Sequence, residues 1–317
     1  MRKRAFPADR LLREPSVPLY KNANGGIIVS MDKKNLEMRL ARRSISTSRP
    51  AFVMGIVNCT PDSFFSGSRG GADNALRLID DGADIIDIGG ESTRPGSAYV
   101  QEDEEIRRVI PVIRAVRKVS DIPISVDTRK SAVMKAAFDE GADILNDVSA
   151  LEDDPNMVGL VSGLGIPVIL MHRRGNPDVM QDNTVYKDIF SEVKAHLLER
   201  AGFAEKAGIA RDKIILDPGI GFGKNLDGNL ELISRCGEIG DGKYPVLMAL
   251  SRKTCIGEMT GKDADGRLYG TLAADLISVL CGATFLRVHD VGPCVDSLNV
   301  LGALESAKKS ARGRLEL

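Results

Sequence analysis

The sequence has no tryptophan, few other aromatic residues and no long apolar segment. A helix that crosses a bilayer needs about 20 consecutive apolar residues, so we expect no membrane partner. The five cysteines are odd in number, widely spaced and without a CxxC pair. This excludes a CxxC-type zinc site and a disulfide framework, and it indicates free thiols in a reducing cytoplasm. The net charge is only −1, so the composition gives no indication of a nucleic-acid partner.

The charge is unevenly distributed along the chain. Residues 1–50 contain twelve Lys and Arg against four Asp and Glu, and we interpret this segment as a basic N-terminal arm. Within it, PLYKNANGGIIVSMD predicts a hairpin around Asn-Gly-Gly that would close the bottom of the following domain. The opening MRKRAFPADRLLREP has no apolar core, so we expect no secretory signal, and Asp9 and Glu14 disfavour an organelle transit peptide. We therefore divide the chain into an arm at 1–50 and one domain at 51–317.

After residue 50 one pattern repeats eight times: a short apolar segment ends in polar residues or glycine, and a helical segment follows. The predicted strands are 52–57, 84–89, 122–127, 143–148, 166–171, 213–217, 245–250 and 284–289. The predicted helices are 73–81, 102–118, 130–139, 156–163, 186–208, 228–238, 267–281 and 296–310. The strands are apolar on both faces, which is typical of a parallel sheet covered by helices. Eight such units predict the α/β class and a (β/α)8 TIM barrel. The absence of G-x-G-x-x-G after the first strand disfavours an open doubly wound sheet.

Polar or charged groups follow every predicted strand. In chain order they are NCTPDSF, GGESTRPG, SVDT, ND, MHRRGNP, DPGIGFGK, SRKT and RVHD. Any one of them has a structural explanation, such as an aspartate that caps the next helix. In a barrel, however, the carboxyl ends of all strands meet on one face, where active sites are built. Because stability does not require polar groups at all eight ends, the sequence predicts an active site there.

The polar groups divide into two chemical sets. The cationic set and its neighbours are Arg94, Arg252, Lys253, Arg287, His289, Asn58 and Thr93. Such a patch suits a polyphosphate with a divalent ion. The second set, expected deeper and on the other side, is Asp127, Asn146 and Asp217. Two carboxylates and an amide suit a ligand edge rich in N–H donors, such as the amino-pyrimidinone of a pterin or of guanine.

Eight motifs in this order resemble the dihydropteroate synthase family. They are MGIVNCTPDSF, GADIIDIGGESTRPG, ISVDTRK, ILNDVSAL, LMHRRGNP, ILDPGIGFGKN, SRK and RVHDV. The resemblance runs from about residue 52 to near residue 305 and leaves the first fifty residues uncovered. It implies a pterin-binding barrel that joins 6-hydroxymethyl-7,8-dihydropterin diphosphate to 4-aminobenzoate, with release of diphosphate, in folate biosynthesis.

The resemblance also implies roles for individual residues. The pterin would contact Asp127, Asn146, Met171, Asp217, Phe222 and Lys253. The diphosphate would contact Asn58, Thr93, Arg287 and His289, and Asn58 would help position the cofactor Mg²⁺. The 4-aminobenzoate would contact Phe64, Thr93, Arg94, Pro95, Phe222, Lys253 and Thr254. The residues expected to act in catalysis are Asp127, Lys253, Arg287 and His289.

The implied reaction needs no protein nucleophile, and the strand ends show no Ser-His-Asp or Cys-His pairing. We expect the bond to diphosphate to break first, with Mg²⁺, Arg287 and His289 stabilising the charge that grows on the leaving group. Asp127 would offset the cation that forms on the pterin, and the arylamine would then attack it.

The loop after the first strand departs from the family pattern. The family commonly continues SFSDGG, whereas this chain has the shorter SFFSGSRGGADNA without that aspartate. Ala249 and Thr254 also replace a frequent glycine and serine. The short loop favours one alternative, a non-catalytic pterin-binding homologue. A second alternative, a methyltetrahydrofolate-dependent methyltransferase, would not need Arg287 and His289.

The apolar segment 272–283 is either a homodimer surface, as the family implies, or a helix face buried on the barrel.

Overall fold

The computed structural model describes residues 35–59, 69–92, 97, 99–175 and 184–313. These residues belong to one compact unit, Lys33–Leu317. The hairpin predicted around Asn-Gly-Gly lies outside the described residues, as does most of the arm. The division of the chain at residue 50 therefore stays a prediction.

After an initial hairpin, the described ranges contain strands each followed by one or two helices. The strands are β1 (Leu36–Arg39), β2 (Ser44–Thr47), β3 (Phe52–Asn58), β4 (Ile85–Gly89), β5 (Ile124–Asp127), β6 (Ile144–Asp147), β7 (Val168–Met171), β8 (Ile214–Asp217), β9 (Leu247–Met248) and β10 (Phe285–Val288). The helices are α1 (Arg69–Asp80), α2 (Glu102–Arg117), α3 (Ser131–Asp139), α4 (Met157–Leu164), α5 (Ile189–Lys206), α6 (Leu226–Ser234), α7 (Cys236–Ile239), α8 (Thr254–Thr260), α9 (Leu268–Leu280) and α10 (Val291–Gly313).

Strands β3 to β10 form one parallel sheet that closes on itself. The order is β8-β7-β6-β5-β4-β3-β10-β9. A parallel bridge between Leu216 and Val246 joins the two ends of this sheet, and the main-chain N–H of Leu216 donates to the carbonyl of Pro245 at 3.0 Å. The predicted (β/α)8 TIM barrel is confirmed.

The barrel strands are buried on both faces, since helices cover the outside and side chains fill the inside. Every residue of β5 (ISVD) and of β6 (ILND) is buried. Both strands begin with an apolar residue and end in an aspartate, although Ser125 lies within β5. The same short segments therefore supply the hydrophobic core and, at one rim, buried polar groups.

The hairpin β1–β2 covers the amino-terminal end of the barrel. Met38 and Leu40 pack into a buried cluster with residues that begin the barrel strands, including Phe52 and Phe285, whose rings stack 5.0 Å apart. A hairpin was predicted at this end of the barrel from the segment PLYKNANGGIIVSMD, whereas β1–β2 lies further along the chain and was not predicted. Its segment, LEMRLARRSIST, has no Asn-Gly turn to announce it.

Helix α8 (Thr254–Thr260) was not predicted, and two predicted helices differ most from the structure. The helix predicted at 228–238 is split into α6 and α7 at Arg235, where φ is −119° and ψ is 16°. This break brings Gly237 so close to the carbonyl of Cys281 that a Cβ atom would overlap it. Helix α10 begins at Val291 rather than at 296, with Pro293 in its first turn, where a missing N–H costs no hydrogen bond.

Within the described ranges, no helix is long and apolar enough to cross a membrane. All five cysteines are free thiols.

Candidate active site

Four side chains from different strands meet inside the carboxyl end of the barrel. Arg287 of β10 donates from Nε to Oδ2 of Asp87 at 2.6 Å and from Nη2 to Oδ2 of Asp127 at 2.8 Å. Asn146 of β6 donates from Nδ2 to the same Oδ2 of Asp87 at 3.1 Å. Asp127 is paired in register with Asn146 of the next strand. Residues far apart in sequence thus form one hydrogen-bonded cluster.

Asp87 was not among the predicted site residues. Its side chain is fully buried, and its Oδ1 has no hydrogen-bond partner among the described residues. Buried polar atoms normally have partners, so this oxygen is available to a ligand or a water molecule. The sequence carried one signal, a lone carboxylate inside the apolar run DIIDIG.

A second group lies at the ends of β7, β8 and β9. Asp217 is buried, and its Oδ1 accepts the main-chain N–H of Gly219 at 2.7 Å. Lys253 donates from Nζ to the carbonyl of Ile220 at 2.6 Å and lies 4.8 Å from the ring centre of Phe222. Met171 is buried and pairs in register with Asp217. The residues predicted to hold the pterin therefore all lie at the same end of the barrel.

Burial shifts the acids of the pocket toward their neutral forms. It raises the pKa of Asp127 to about 7, with the charge of Arg287 opposing this shift and that of Asp87 adding to it. Burial also raises the pKa of Asp217, and Lys253 opposes that shift. The pocket holds three carboxylates, those of Asp87, Asp127 and Asp217, against two cations.

The two cations respond differently to burial. It lowers the pKa of Lys253 to about 8, although Asp217 acts in the opposite direction. Burial alone would lower the pKa of Arg287, but the charges of Asp87 and Asp127 outweigh this effect. The pKa of Arg287 is therefore raised. With one more acid than cations, the pocket favours a ligand that donates N–H bonds or carries positive charge.

The cationic set is less separate than the sequence suggested. Arg252 donates from Nε and Nη2 to the carboxylate of Asp290 at 3.0 and 2.7 Å, so its charge is already paired. Arg287 and Lys253 lie among the acids instead of on a distinct side of the pocket. The expectation that the cationic set and the carboxylate–amide set lie on separate sides of the pocket is therefore wrong, because Arg287 is hydrogen-bonded to Asp127.

His289 is held by a serine, which the sequence analysis did not foresee. Its Nδ1 lies 3.0 Å from Oγ of Ser251, and its main-chain N–H donates to that oxygen at 3.1 Å. Ser251 is only 5% exposed. The prediction concerned Ser-His-Asp and Cys-His pairings, which a Ser-His contact alone does not contradict, and this buried hydroxyl orients the imidazole.

The remaining predicted residues lie at the rim or outside the described ranges. Asn58 ends β3 and is partly exposed, and Thr254 begins α8 and is exposed. Outside the described residues are Phe64, Thr93, Arg94, Pro95 and the shortened loop after β3. Their predicted roles stay predictions.

Ion pairs hold the loop that leaves β4. Glu91 accepts hydrogen bonds from Arg129 at 3.1 Å and from Lys130 at 2.6 Å. Lys130, which is 4% exposed, also contacts the buried carboxylate of Glu105 on α2. These contacts tie the loop after β4 to the loop after β5. Strand β5 itself ends at Asp127.

Comparison with known proteins agrees with this geometry. A family model described as "Pterin binding enzyme" matches residues 54–289. The dihydropteroate synthase of Escherichia coli (strain K12) is 43% identical over 277 residues, which are 85% of this chain and 96% of that protein. The structure of Xanthomonas albilineans dihydropteroate synthase with 4-aminobenzoic acid has a TM-score of 0.80 at 43% identity and covers 86% of this chain and 99% of that one. The complex of that organism's enzyme with 7,8-dihydropteroate has a TM-score of 0.77 at 40% identity, covering 85% and 99%. The chain belongs to the dihydropteroate synthase family of pterin-binding enzymes.

Proposed function

We propose that this chain condenses 6-hydroxymethyl-7,8-dihydropterin diphosphate with 4-aminobenzoate to give 7,8-dihydropteroate and diphosphate, a transferase step of folate biosynthesis. The observation that carries the proposal is that the buried Asp127, Asn146 and Asp217 and the half-buried Lys253 lie together at the carboxyl end of the barrel. Together they offer acceptors and donors in a confined space, as the edge of a pterin ring requires.

Asp127, Asn146 and Asp217 hold the pterin by its N–H groups, and Lys253 donates to a ring acceptor. Met171 and Phe222 supply apolar walls. As the bond from the methylene carbon to the diphosphate oxygen breaks, the pterin becomes cationic. The surplus carboxylate of the pocket stabilises that cation more than it stabilises the neutral ring, which lowers the barrier.

Arg287 and His289 take the leaving diphosphate, with Asn58 and Thr93. Arg287 binds Asp87 and Asp127 through Nε and Nη2, and within the described residues no group accepts a hydrogen bond from its Nη1. The guanidinium can thus donate to a phosphate oxygen while it remains paired with Asp87 and Asp127. Ser251 fixes the orientation of the His289 ring beside it.

The donor set at this rim fits Mg²⁺ bound mainly through the substrate. The described residues contain no group of three or more His, Cys, Asp or Glu side chains that could hold a metal. Mg²⁺ commonly keeps several waters and binds phosphate oxygens with only one or two protein ligands. The amide oxygen of Asn58 would supply such a ligand, and the ion would neutralise charge on the diphosphate.

The 4-aminobenzoate lies between Phe222, Lys253 and the loop after β4. Phe64, Thr93, Arg94 and Pro95 complete its site, with its carboxylate toward Thr254. The arylamine nitrogen then attacks the cationic methylene carbon and loses a proton. The clamp formed by Glu91 with Arg129 and Lys130 supports the base of that loop.

The proposal is tested by measuring diphosphate release from dihydropterin diphosphate with Mg²⁺, in the presence and absence of 4-aminobenzoate. Release that requires the arylamine, with an equal amount of dihydropteroate, is expected. Asp217→Asn should reduce the rate by about a hundredfold or more. Asp212→Asn, at an exposed ion pair with Arg39, is the matched control and should not change it. Pterin binding without product would favour the non-catalytic homologue, and methyl transfer from methyltetrahydrofolate would favour the methyltransferase.

We also propose that the enzyme is a cytoplasmic homodimer. The outer faces of α9 and α10 expose large apolar side chains, with Tyr269 81%, Ile277 50%, Val300 60% and Leu304 64% exposed. Ala274 and Val279 of the same α9 face inward, so one helix covers the barrel and presents an apolar outer face. Sedimentation should give twice the chain mass for the wild type and the monomer mass for Ile277→Glu.

A further inference from the structure

Lys224 is a buried lysine that the proposed reaction does not use. It is 4% exposed. Its Nζ donates to the main-chain carbonyls of Gly219 and Phe222, both at 2.9 Å, and of His172 at 3.3 Å. It also lies 3.0 Å from Nδ1 of His172. We call the three carbonyls and Nδ1 of His172 the carbonyl cage.

The carbonyl cage joins two loops of the rim. His172 follows β7, whereas Gly219 and Phe222 belong to the loop after β8. The two loops touch at Gly219, where φ is +67° and a Cβ atom would overlap the carbonyl of His172. No other residue type fits this approach without displacement of the main chain.

The loop after β8, which contributes Gly219 and Phe222 to the carbonyl cage, also contacts Lys253 of the candidate active site. The carbonyl of Ile220 accepts from Nζ of Lys253 at 2.6 Å, and the Phe222 ring lies 4.8 Å from that Nζ. Successive carbonyls of one short segment are thus held by two lysines. Gly219 and Phe222 bind Lys224, and Ile220 binds Lys253.

Burial makes this position costly for a lysine. It lowers the pKa of Lys224 well below its ordinary value, and Asp217 opposes the shift while Lys253 reinforces it. Burial also lowers the pKa of His172 to about 2, so this ring is neutral. Lys224 contacts it at Nδ1. An apolar side chain would avoid the cost of burial but would leave the carbonyls of Phe222 and His172 without a donor among the described residues, while that of Gly219 would keep the main-chain N–H of Phe222 at 3.1 Å.

From these contacts we infer that Lys224 is a positioning residue. By binding the carbonyl cage, it fixes the segment 219–223, and with it the Phe222 ring and the carbonyl that orients Lys253. The inference rests on the proposed function, because Phe222 and Lys253 are assigned there to the arylamine and also to the pterin. The pterin is held in addition by three buried residues of the barrel strands. Asp127, Asn146 and Asp217 lie on barrel strands that need no cage, so the loss of Lys224 should affect the arylamine more than the pterin.

The test compares Lys224→Met with Lys213→Met. Lys213 precedes β8 at the opposite end of the barrel, and its Nζ also donates to a main-chain carbonyl, that of Gly165. Lys224→Met should raise the KM for 4-aminobenzoate about tenfold or more, because a small displacement of a positioning group has a large kinetic effect. The KM for dihydropterin diphosphate should change less than about threefold. Lys213→Met should leave both unchanged, and Lys224→Gln, which retains two N–H donors, should recover part of the loss.

Hydrogen exchange in the ligand-free protein gives a readout that does not depend on catalysis. The amides of 219–223 should exchange about tenfold faster in Lys224→Met than in the wild type or in Lys213→Met. If Lys224→Met does not fold, Lys224→Gln is measured in its place. Unchanged exchange with both KM values unchanged would overturn the inference, as would a fall in kcat that matches a loss of folded protein. A wild type that makes no dihydropteroate would instead count against the proposed function, while the exchange measurement would still test the cage.

Discussion

Asp275→Asn should stabilise the protein by an amount that grows with pH. Asp275 lies on α9, away from the active site, and is 2% exposed. Neither of its carboxylate oxygens has a hydrogen-bond partner among the described residues. Burial raises the pKa of Asp275 well above 3.8. The folded protein therefore keeps this carboxyl protonated over a pH range in which the unfolded chain ionises it.

The size of the effect follows from this difference in bound protons. Between the unfolded and the folded pKa the folded state binds one more proton, so the free energy of unfolding falls by about 1.4 kcal/mol per pH unit as the pH rises. The loss begins above the unfolded value of 3.8 and ends at the raised pKa of the folded protein. Asparagine has nearly the same shape and does not ionise. Over the range between these two pKa values the variant should therefore gain about 1.4 kcal/mol per pH unit over the wild type.

The assay is urea unfolding followed by circular dichroism at pH 5, 6 and 7. Asp84→Asn is the matched control, because the carboxylate of Asp84 accepts hydrogen bonds from Arg49 and, at 2.7 Å, from the main-chain N–H of Val53. The same chemical change should destabilise the protein there. A free-energy difference between Asp275→Asn and the wild type that is the same at all three pH values would refute the reasoning.

Three further predictions concern the pocket and the barrel. Pterin affinity, measured by calorimetry, should rise with pH through the pKa of about 7 at Asp127, since the ionised carboxylate accepts N–H bonds, and Asp87→Asn should move that midpoint to lower pH. Gly219→Ala should cost about 3 kcal/mol in urea unfolding, because its Cβ would overlap a carbonyl of the neighbouring loop. Gly242→Ala, with a similar φ of +68° but open space around it, should cost only about 1 kcal/mol. Met38→Ala should cost about 2–5 kcal/mol, which would show that the hairpin β1–β2 is part of the barrel core.

The barrel could be predicted because its signal is repeated and local. Each strand is mainly apolar and is followed by polar or charged residues at or just after its carboxyl end, and then by a helical segment. The parallel topology then places all the polar ends on one face. The hairpin β1–β2 could not be predicted in this way, because it occurs once and its burial depends on contacts with the ends of distant strands.

The active site was predicted as a set of residues but not as a set of contacts. Asp127, Asn146 and Asp217 are at the strand ends where the motifs placed them. That Arg287 binds both Asp87 and Asp127 depends on strand register and side-chain direction across the barrel, which a list of strand ends does not contain. The carbonyl cage of Lys224 was missed for a related reason. Its ligands are main-chain oxygens, which leave no trace in the residue types.

In the proposed reaction, the pairing of Arg287 with two acids would let one small cluster act on both sides of the bond that breaks. The pocket has one more acid than the two cations Arg287 and Lys253, and the pKa of Asp127 is about 7, so positive charge that forms beside Asp127 favours its ionised form. When the carbon–oxygen bond lengthens, positive charge appears on the pterin and negative charge on the diphosphate. The acids meet the first, and Nη1 of Arg287 is available to the second. Because both interactions strengthen as charge separates, the cluster stabilises the transition state more than the bound substrate.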